Sequence, residues 1–206
     1  MSSRTETAVA MRAEEELPAH VNDTRAVLWW GIVWLIAVEA TVFIALIASY
    51  FYLKFYAPEW PMGGIERPDL LMPSIATAAL LVSAVPVYWA GKGIQQGNQS
   101  RLIIGLAIGL ALMTVVVVIK YFEFAGKGYS WETNAYGSVF WVLLGYHTAH
   151  VLLTILWTVI LLIAAFMGYF DENRNLGVRV KALYWYFVSI IWLPIFFTLY
   201  LSPYVL

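Results

Sequence analysis

The sequence contains no cysteine. Disulfides, iron–sulfur clusters, thiolate copper centres and cysteine nucleophiles are therefore excluded from this chain. Charge is nearly as scarce: charged residues are 12% of the 206, against roughly 25% in an ordinary soluble domain. With 12 Lys/Arg against 13 Asp/Glu the net charge is −1, which leaves no basic excess to attract nucleic acid and no acidic tail. There are only 3 histidines, His20, His147 and His150. No P-loop, GxSxG, HExxH or dinucleotide fingerprint occurs. Catalysis by this chain alone is not expected, and no catalytic, cofactor-binding or metal residues are assigned to it.

What is present is hydrocarbon. Hydrophobic residues make up 62% of the chain, and a helix needs about 20 apolar residues to cross a bilayer. Five runs meet that length: 27–52, 70–90, 102–124, 136–167 and 182–205. They are too long and too unalternating for barrel strands. The expected class is all-α, a polytopic membrane bundle of five transmembrane helices. Residues 1–26 are polar, with Glu14, Glu15 and Glu16 in a row. They lack a signal-peptide pattern, and their acids argue against a mitochondrial transit peptide. They read as a partly disordered or surface-lying tail, and 27–206 as the membrane domain.

Loop charges set the expected orientation. Arg4, Arg12, Arg25, Lys92, Arg101, Arg174, Arg179 and Lys181 fall on one side, and Lys54, Arg67 and Lys127 on the other. This bias predicts a cytoplasmic N-terminus and an outer C-terminus. Trp29, Trp30, Tyr50, Tyr52, Trp131, Tyr200 and Tyr204 fit interfacial aromatic belts. Pro86 and Pro194 fall inside spans and predict kinks. Gly105 and Gly109 form a small-xxx-small pair, which suits either close approach of another helix or a plain packing face.

Polar groups inside the spans are few. Glu39 sits about halfway along the first run, where an acid costs about 3 kcal/mol on insertion scales, so it needs a partner, water or neutralisation. Two readings stand: a structural buried acid, or a group that moves protons. Lys120 and Glu123 are three apart near the end of the third run, and an ion pair snorkelling to the interface accounts for them. His147 and His150 share one face of the fourth run. That spacing can hold a metal with a carboxylate, but two histidines fall short of the three protein ligands usual for a catalytic metal. Interhelical hydrogen bonds are the alternative.

Several segments resemble subunit III of the haem–copper terminal oxidases (cytochrome c oxidase and quinol oxidase). Tyr136-Gly137-Ser138-Val139-Phe140-Trp141, running into Gly145-Tyr146-His147-Thr148-Ala149-His150-Val151, is similar to the family's YGS start followed by G-[FY]-H-x-x-H-V. Glu39 with Phe43, Leu46, Ala48, Tyr50 and Phe51 resembles its Glu-centred helix. Thr77, Leu80, Leu81 and Ser83 match a T-x-x-L-L-x-S run, and Glu123 matches the Glu of Q-x-x-E-Y. Tyr184-Trp185-Tyr186-Phe187-Val188 with Trp192 is similar to the W-H-F-V-D-x-V-W block. The matches touch all five runs in order. Departures occur where the family has His at Tyr186, Asp at Ser189, Gln at Lys120 and Asn at Ala76, so the family's His–Asp contacts do not carry over.

The resemblance implies the short, five-helix form, without the two first helices that build a lipid-filled cleft in longer members. It implies a cofactor-free core subunit of a respiratory oxidase in a bacterial plasma (inner) membrane, with haems and copper in partner subunits. The partners implied are the catalytic subunit I, subunit II, membrane lipids including phospholipid, and further small subunits or a supercomplex, but no nucleic acid. Glu39, Glu123, His147, His150 and Lys120 would make intramembrane polar contacts. Gly105, Gly109, Trp185 and Trp192 are packing or interface candidates. Three rivals remain: an accessory subunit of a nitric oxide reductase, a proton channel or transporter lined by Glu39, His147 and Lys120, and a metalloenzyme using His147, His150 and a carboxylate.

Overall fold

The computed structural model describes residues 26–205. The sequence-predicted tail up to residue 25, with His20, lies outside the described residues. Helix α1 is Val27–Tyr56, α2 is Leu71–Val82 and α3 is Ala84–Gln95. Next come α4, Gln99–Ala125, α5, Ala135–Phe166, and α6, Leu176–Phe196. A π-helical turn, Phe197–Leu201, and a last short helix α7, Ser202–Val205, continue α6. Among the described residues there is no strand, only one isolated bridge between Asp171 and Arg174 in the α5–α6 turn.

Five of the resulting helical stretches are long and apolar enough to cross a membrane: Val27–Tyr56, Leu71–Gln95, Gln99–Ala125, Ala135–Phe166 and Leu176–Val205. The all-α bundle of five spans is thus observed. The bounds shift at the ends. The last span starts at Leu176 and not at 182: Arg179 and Lys181, which the charge pattern assigns to a loop, lie inside the helix.

Proline shapes two spans. Pro86 has no N–H for the carbonyl four residues back and its ring crowds that carbonyl. The helix is accordingly interrupted at Ser83, between α2 and α3, one turn before the proline. The Ser83 hydroxyl donates to the Leu80 carbonyl at 2.5 Å and so satisfies a backbone acceptor at the break. Pro194 lies within α6, and the π-helical turn begins three residues later. Single π turns of this kind accommodate local disruption of the helical ladder.

Caps fix the connections. Asn98 accepts from the Arg101 amide at 3.0 Å to start α4. Asn134 accepts from the Gly137 amide at 2.9 Å to start α5 and donates to the Met62 carbonyl at 2.9 Å, which ties two loops together. Gly97, at φ 71°, makes the reversal between α3 and α4 that a side chain would strain.

The core is aromatic. Trp185, Trp192, Tyr50, Tyr136, Tyr200, Phe43 and Phe140 are its largest fully buried side chains. Helix α6 sits centrally, packing on α1, α3 and α5. Gly105 and Gly109 serve contacts within the chain. A Cβ at Gly105 would lie 2.5 Å from the Pro86 carbonyl oxygen, and one at Gly109 would lie 2.8 Å from Val87. The pair lets α4 meet α3 backbone to backbone.

Candidate functional site

Polar side chains gather in two clusters. The first joins α1 to α5. Tyr146 donates its hydroxyl to the Glu39 carboxyl at 2.5 Å, and His150 Nε2 lies 3.0 Å from the same oxygen. His150 Nδ1 is 2.7 Å from the Tyr146 carbonyl oxygen, which can only accept, so Nδ1 carries a hydrogen. In a neutral ring Nε2 is then an acceptor. The Glu39–His150 contact therefore holds a proton, carried either by the carboxyl or by the imidazole. Glu39 keeps an open edge, with its side chain 23% exposed, and Tyr146 beside it is half-buried, while His150 is buried.

His147 and His150 share a helix face but diverge. His147 is buried, reaches the Val188 carbonyl on α6 at 3.0 Å, and packs its ring 4.6 Å from that of Trp192. His150 turns to α1. Among the described residues no three His, Cys, Asp or Glu side chains group closely enough to hold a metal ion.

The second cluster lies where α4 ends. Lys120 Nζ is 3.0 Å from one Glu123 oxygen, and Lys127 Nζ is 3.6 Å from the other. The Tyr200 hydroxyl donates to Glu123 as well. The Lys120 ammonium also lies 4.0 Å over the Trp192 ring. The expected i,i+3 pair is present, but it does not snorkel: the Lys120 and Glu123 side chains are 4% and 6% exposed. Aromatic faces and a carboxylate stabilise the cation inside the bundle, which spares it the reach to water. Just beyond the span, burial pushes the Lys127 ammonium below the usual lysine range and lifts the Tyr129 phenol to about 12.

Two tryptophans one heptad apart on α6 tie the broken span. Trp185 Nε1 donates to the Ser83 hydroxyl at 2.9 Å, at the break itself, and Trp192 Nε1 donates to the Thr77 hydroxyl at 2.7 Å. Each indole thus satisfies its only donor while filling the core.

Sequence reasoning missed Tyr146 and Lys181 and misplaced Tyr50 and Tyr200. Both of those tyrosines are fully buried and not part of an interfacial belt. Tyr50 accepts from the Trp60 indole at 2.9 Å. Lys181 is buried with its ammonium 3.7 Å over the Trp185 ring and has no hydrogen-bond partner among the described residues. The four-residue spacing of Lys181 and Trp185 was the available signal.

With this geometry in place, comparison with known proteins is direct. A sequence profile described as cytochrome c oxidase subunit III matches residues 9–204. The protein named cytochrome c oxidase subunit 3 in Locusta migratoria is 31% identical over 183 residues, covering 84% of this chain and 68% of the relative. Its counterpart in Coturnix japonica is 30% identical over 188 residues, 88% and 72% of the two chains. That of Drosophila yakuba is 28% identical over 179 residues, 84% and 68%. A profile spanning nearly the whole chain, on a bundle of five membrane-crossing helices, fixes the assignment: the chain belongs to the cytochrome c oxidase subunit III family, as a multi-pass membrane subunit of a respiratory oxidase.

Proposed function

We propose that this chain is the cofactor-free core subunit that packs against the catalytic subunit of a haem–copper oxidase in a bacterial plasma membrane. The parent complex reduces oxygen to water and pumps protons, with haems and copper held by its partner subunits I and II. The chain steadies the catalytic subunit, supports its proton-uptake side and holds membrane lipid. Its N-terminus is cytoplasmic, as the loop charges favour.

The observation that carries this reading is the family match over residues 9–204. Ligand poverty is consistent with it: the sequence has no cysteine, and its two membrane histidines point to different helices. The names of the relatives favour an oxidase over a nitric oxide reductase as the parent complex. Within the chain, Glu39, His147 and His150 tie α5 to α1 and α6, while Lys120 and Glu123 tie α4 to the end of the last span through Tyr200. Their role here is to hold the shape that the partner recognises.

Affinity purification of the full chain from its native membrane tests the reading. A co-purifying partner with a haem–copper absorption spectrum is expected. Recovery of the intact chain free of haem proteins would overturn the assignment.

A further inference from the structure

We infer that the acidic run Glu14-Glu15-Glu16 docks on the chain's own bundle, with the run against Lys92 and the Leu17 side chain in the small cavity beside it. The contact is internal to the polypeptide, so it stands or falls independently of the complex that the chain joins.

A cavity of about 170 Å³ opens where α1 and α6 begin and α3 ends, lined by Trp29, Tyr88, Gly91, Lys92, Leu183 and Tyr186 among others. Its walls are mainly aromatic and aliphatic, and its size suits one aliphatic side chain. Lys92 stands exposed on the rim, in the last turn of α3, with its ammonium 5.9 Å from the Tyr88 ring centre. Arg101, in the first turn of α4, is a second exposed cation at this end. Arg179 belongs to the wall, its guanidinium 5.6 Å from the Trp29 ring centre. Asp171 and Glu172 are the described acids at this end; they stand on the α5–α6 turn, outside the cavity lining, and Asp171 accepts from the Asn173 amide at 2.7 Å. The cation that answers the acidic run is therefore Lys92.

The place where the chain enters the bundle points to the occupant. Ala26 stands directly before α1, and Trp29, in the first turn, is already a wall of the cavity. Glu14, Glu15 and Glu16 lie ten to twelve residues before Ala26. Such a stretch reaches about 33–40 Å when extended, so the run can return over the cavity. A short tether holds it there at an effective concentration on the order of millimolar. Charge is complementary: residues 1–25 carry five acids against three arginines, and the rim is cationic. The order of side chains matches as well. An acidic run followed at once by Leu17 meets a lysine beside an apolar hollow. Exposed ion pairs contribute little each, and burial of one leucine side chain adds the apolar share.

The lack of native cysteine makes a cross-link unambiguous. In the full chain, purified in detergent, Leu17→Cys is paired with Gly91→Cys, at a position where a Cβ meets nothing within 4 Å. The rate of disulfide formation under a mild oxidant is followed by mass spectrometry. Asn22→Cys with Gly91→Cys is the reference, because Asn22 is nearer the bundle along the chain and proximity alone would favour it. The Leu17 pair is expected to close faster. Changing Glu14, Glu15 and Glu16 to Gln slows it about fivefold. Lys92→Gln slows it to the same extent, and the combined variant is little slower than either, since both remove one interaction. Equal rates for Leu17 and Asn22, or a rate unmoved by the glutamines, overturn the proposal. Loss of the cross-link in phosphatidylglycerol nanodiscs, with its retention in phosphatidylcholine, marks an anionic lipid as the occupant and overturns it too. So does capture of another subunit, in place of Leu17, by a photo-cross-linker set at Gly91 in the intact complex.

Discussion

Glu39 and Glu123 are the two acids within the membrane-crossing helices, and they are held in opposite ways. Position along the helix makes Glu39 the costlier, because it lies near the middle of α1 and Glu123 lies two residues from the end of α4. Packing reverses that order. Glu123 is held between two ammonium groups and a phenol with its side chain 6% exposed, whereas that of Glu39 is 23% exposed and its hydrogen-bond partners among the described residues are Tyr146 and His150. At mid-span an open edge faces hydrocarbon or another protein, not water. Glu123 is thus compensated by charge inside its own chain. Glu39 is compensated by hydrogen bonds and one shared proton, at a surface that a neighbour can cover. Depth in the sequence does not decide how an intramembrane acid is paired; the neighbouring helices do.

The largest effect is expected at the sealed site. Glu123→Gln strands the Lys120 ammonium in the bundle, because Lys127 adds another positive charge and the Trp192 face alone cannot replace a carboxylate. Breaking a buried pair by removing one partner costs about 3–5 kcal/mol. A loss of that size should appear in a denaturant titration of the purified chain. Adding Lys120→Gln should recover most of it, since the cation that needed the carboxylate is then gone. A small loss at Glu123 would mean that the cluster is not held by charge, and the contrast with Glu39 would disappear.

Glu39→Ala should do less to the chain and more to the assembly. It removes two hydrogen bonds between α1 and α5, and interhelical bonds in membranes contribute about 1–2 kcal/mol at most. Because its open edge faces outward, retention of this subunit after detergent extraction of the complex should fall while turnover per intact complex stays the same. Unchanged subunit stoichiometry would place Glu39 with Glu123, as an internal acid only.

The spans and their order were legible because long apolar runs leave a sequence few other folds. The contacts of the candidate side chains were not. Local spacing revealed the Lys120–Glu123 pair, which sits on one helix. It could not say that Tyr200, distant in sequence, closes over the pair and turns it from a snorkelling pair into a buried one. Lys181 reads as a loop charge because a lysine at the edge of an apolar run ordinarily reaches water. Here the early start of α6 carries it over the Trp185 face instead. Likewise Pro86 announced a distortion, but the break falls at Ser83, where the Trp185 indole and a backbone carbonyl meet one hydroxyl. Periodicity reports which residues share a helix face; it does not report which helix that face meets.

The smallest effect comes from repeating the largest test at the other acid. In Glu39→Gln the amide oxygen can still accept from the Tyr146 hydroxyl, and the amide nitrogen can donate to His150 Nε2. The latter is an acceptor in the neutral ring because Nδ1 is committed to the Tyr146 carbonyl. A modest rotation of the amide suffices to share the two bonds between its two atoms. The expected loss is below about 1 kcal/mol, measured in the same titration as Glu123→Gln. The one substitution, acid to isosteric amide, then separates the sites by mechanism: it removes the charge that Glu123 supplies to Lys120 and Lys127 but preserves the hydrogen bonds that Glu39 makes. A loss at Glu39 as large as that at Glu123 would mean that Glu39 and His150 form an ion pair, with the shared proton resident on the imidazole.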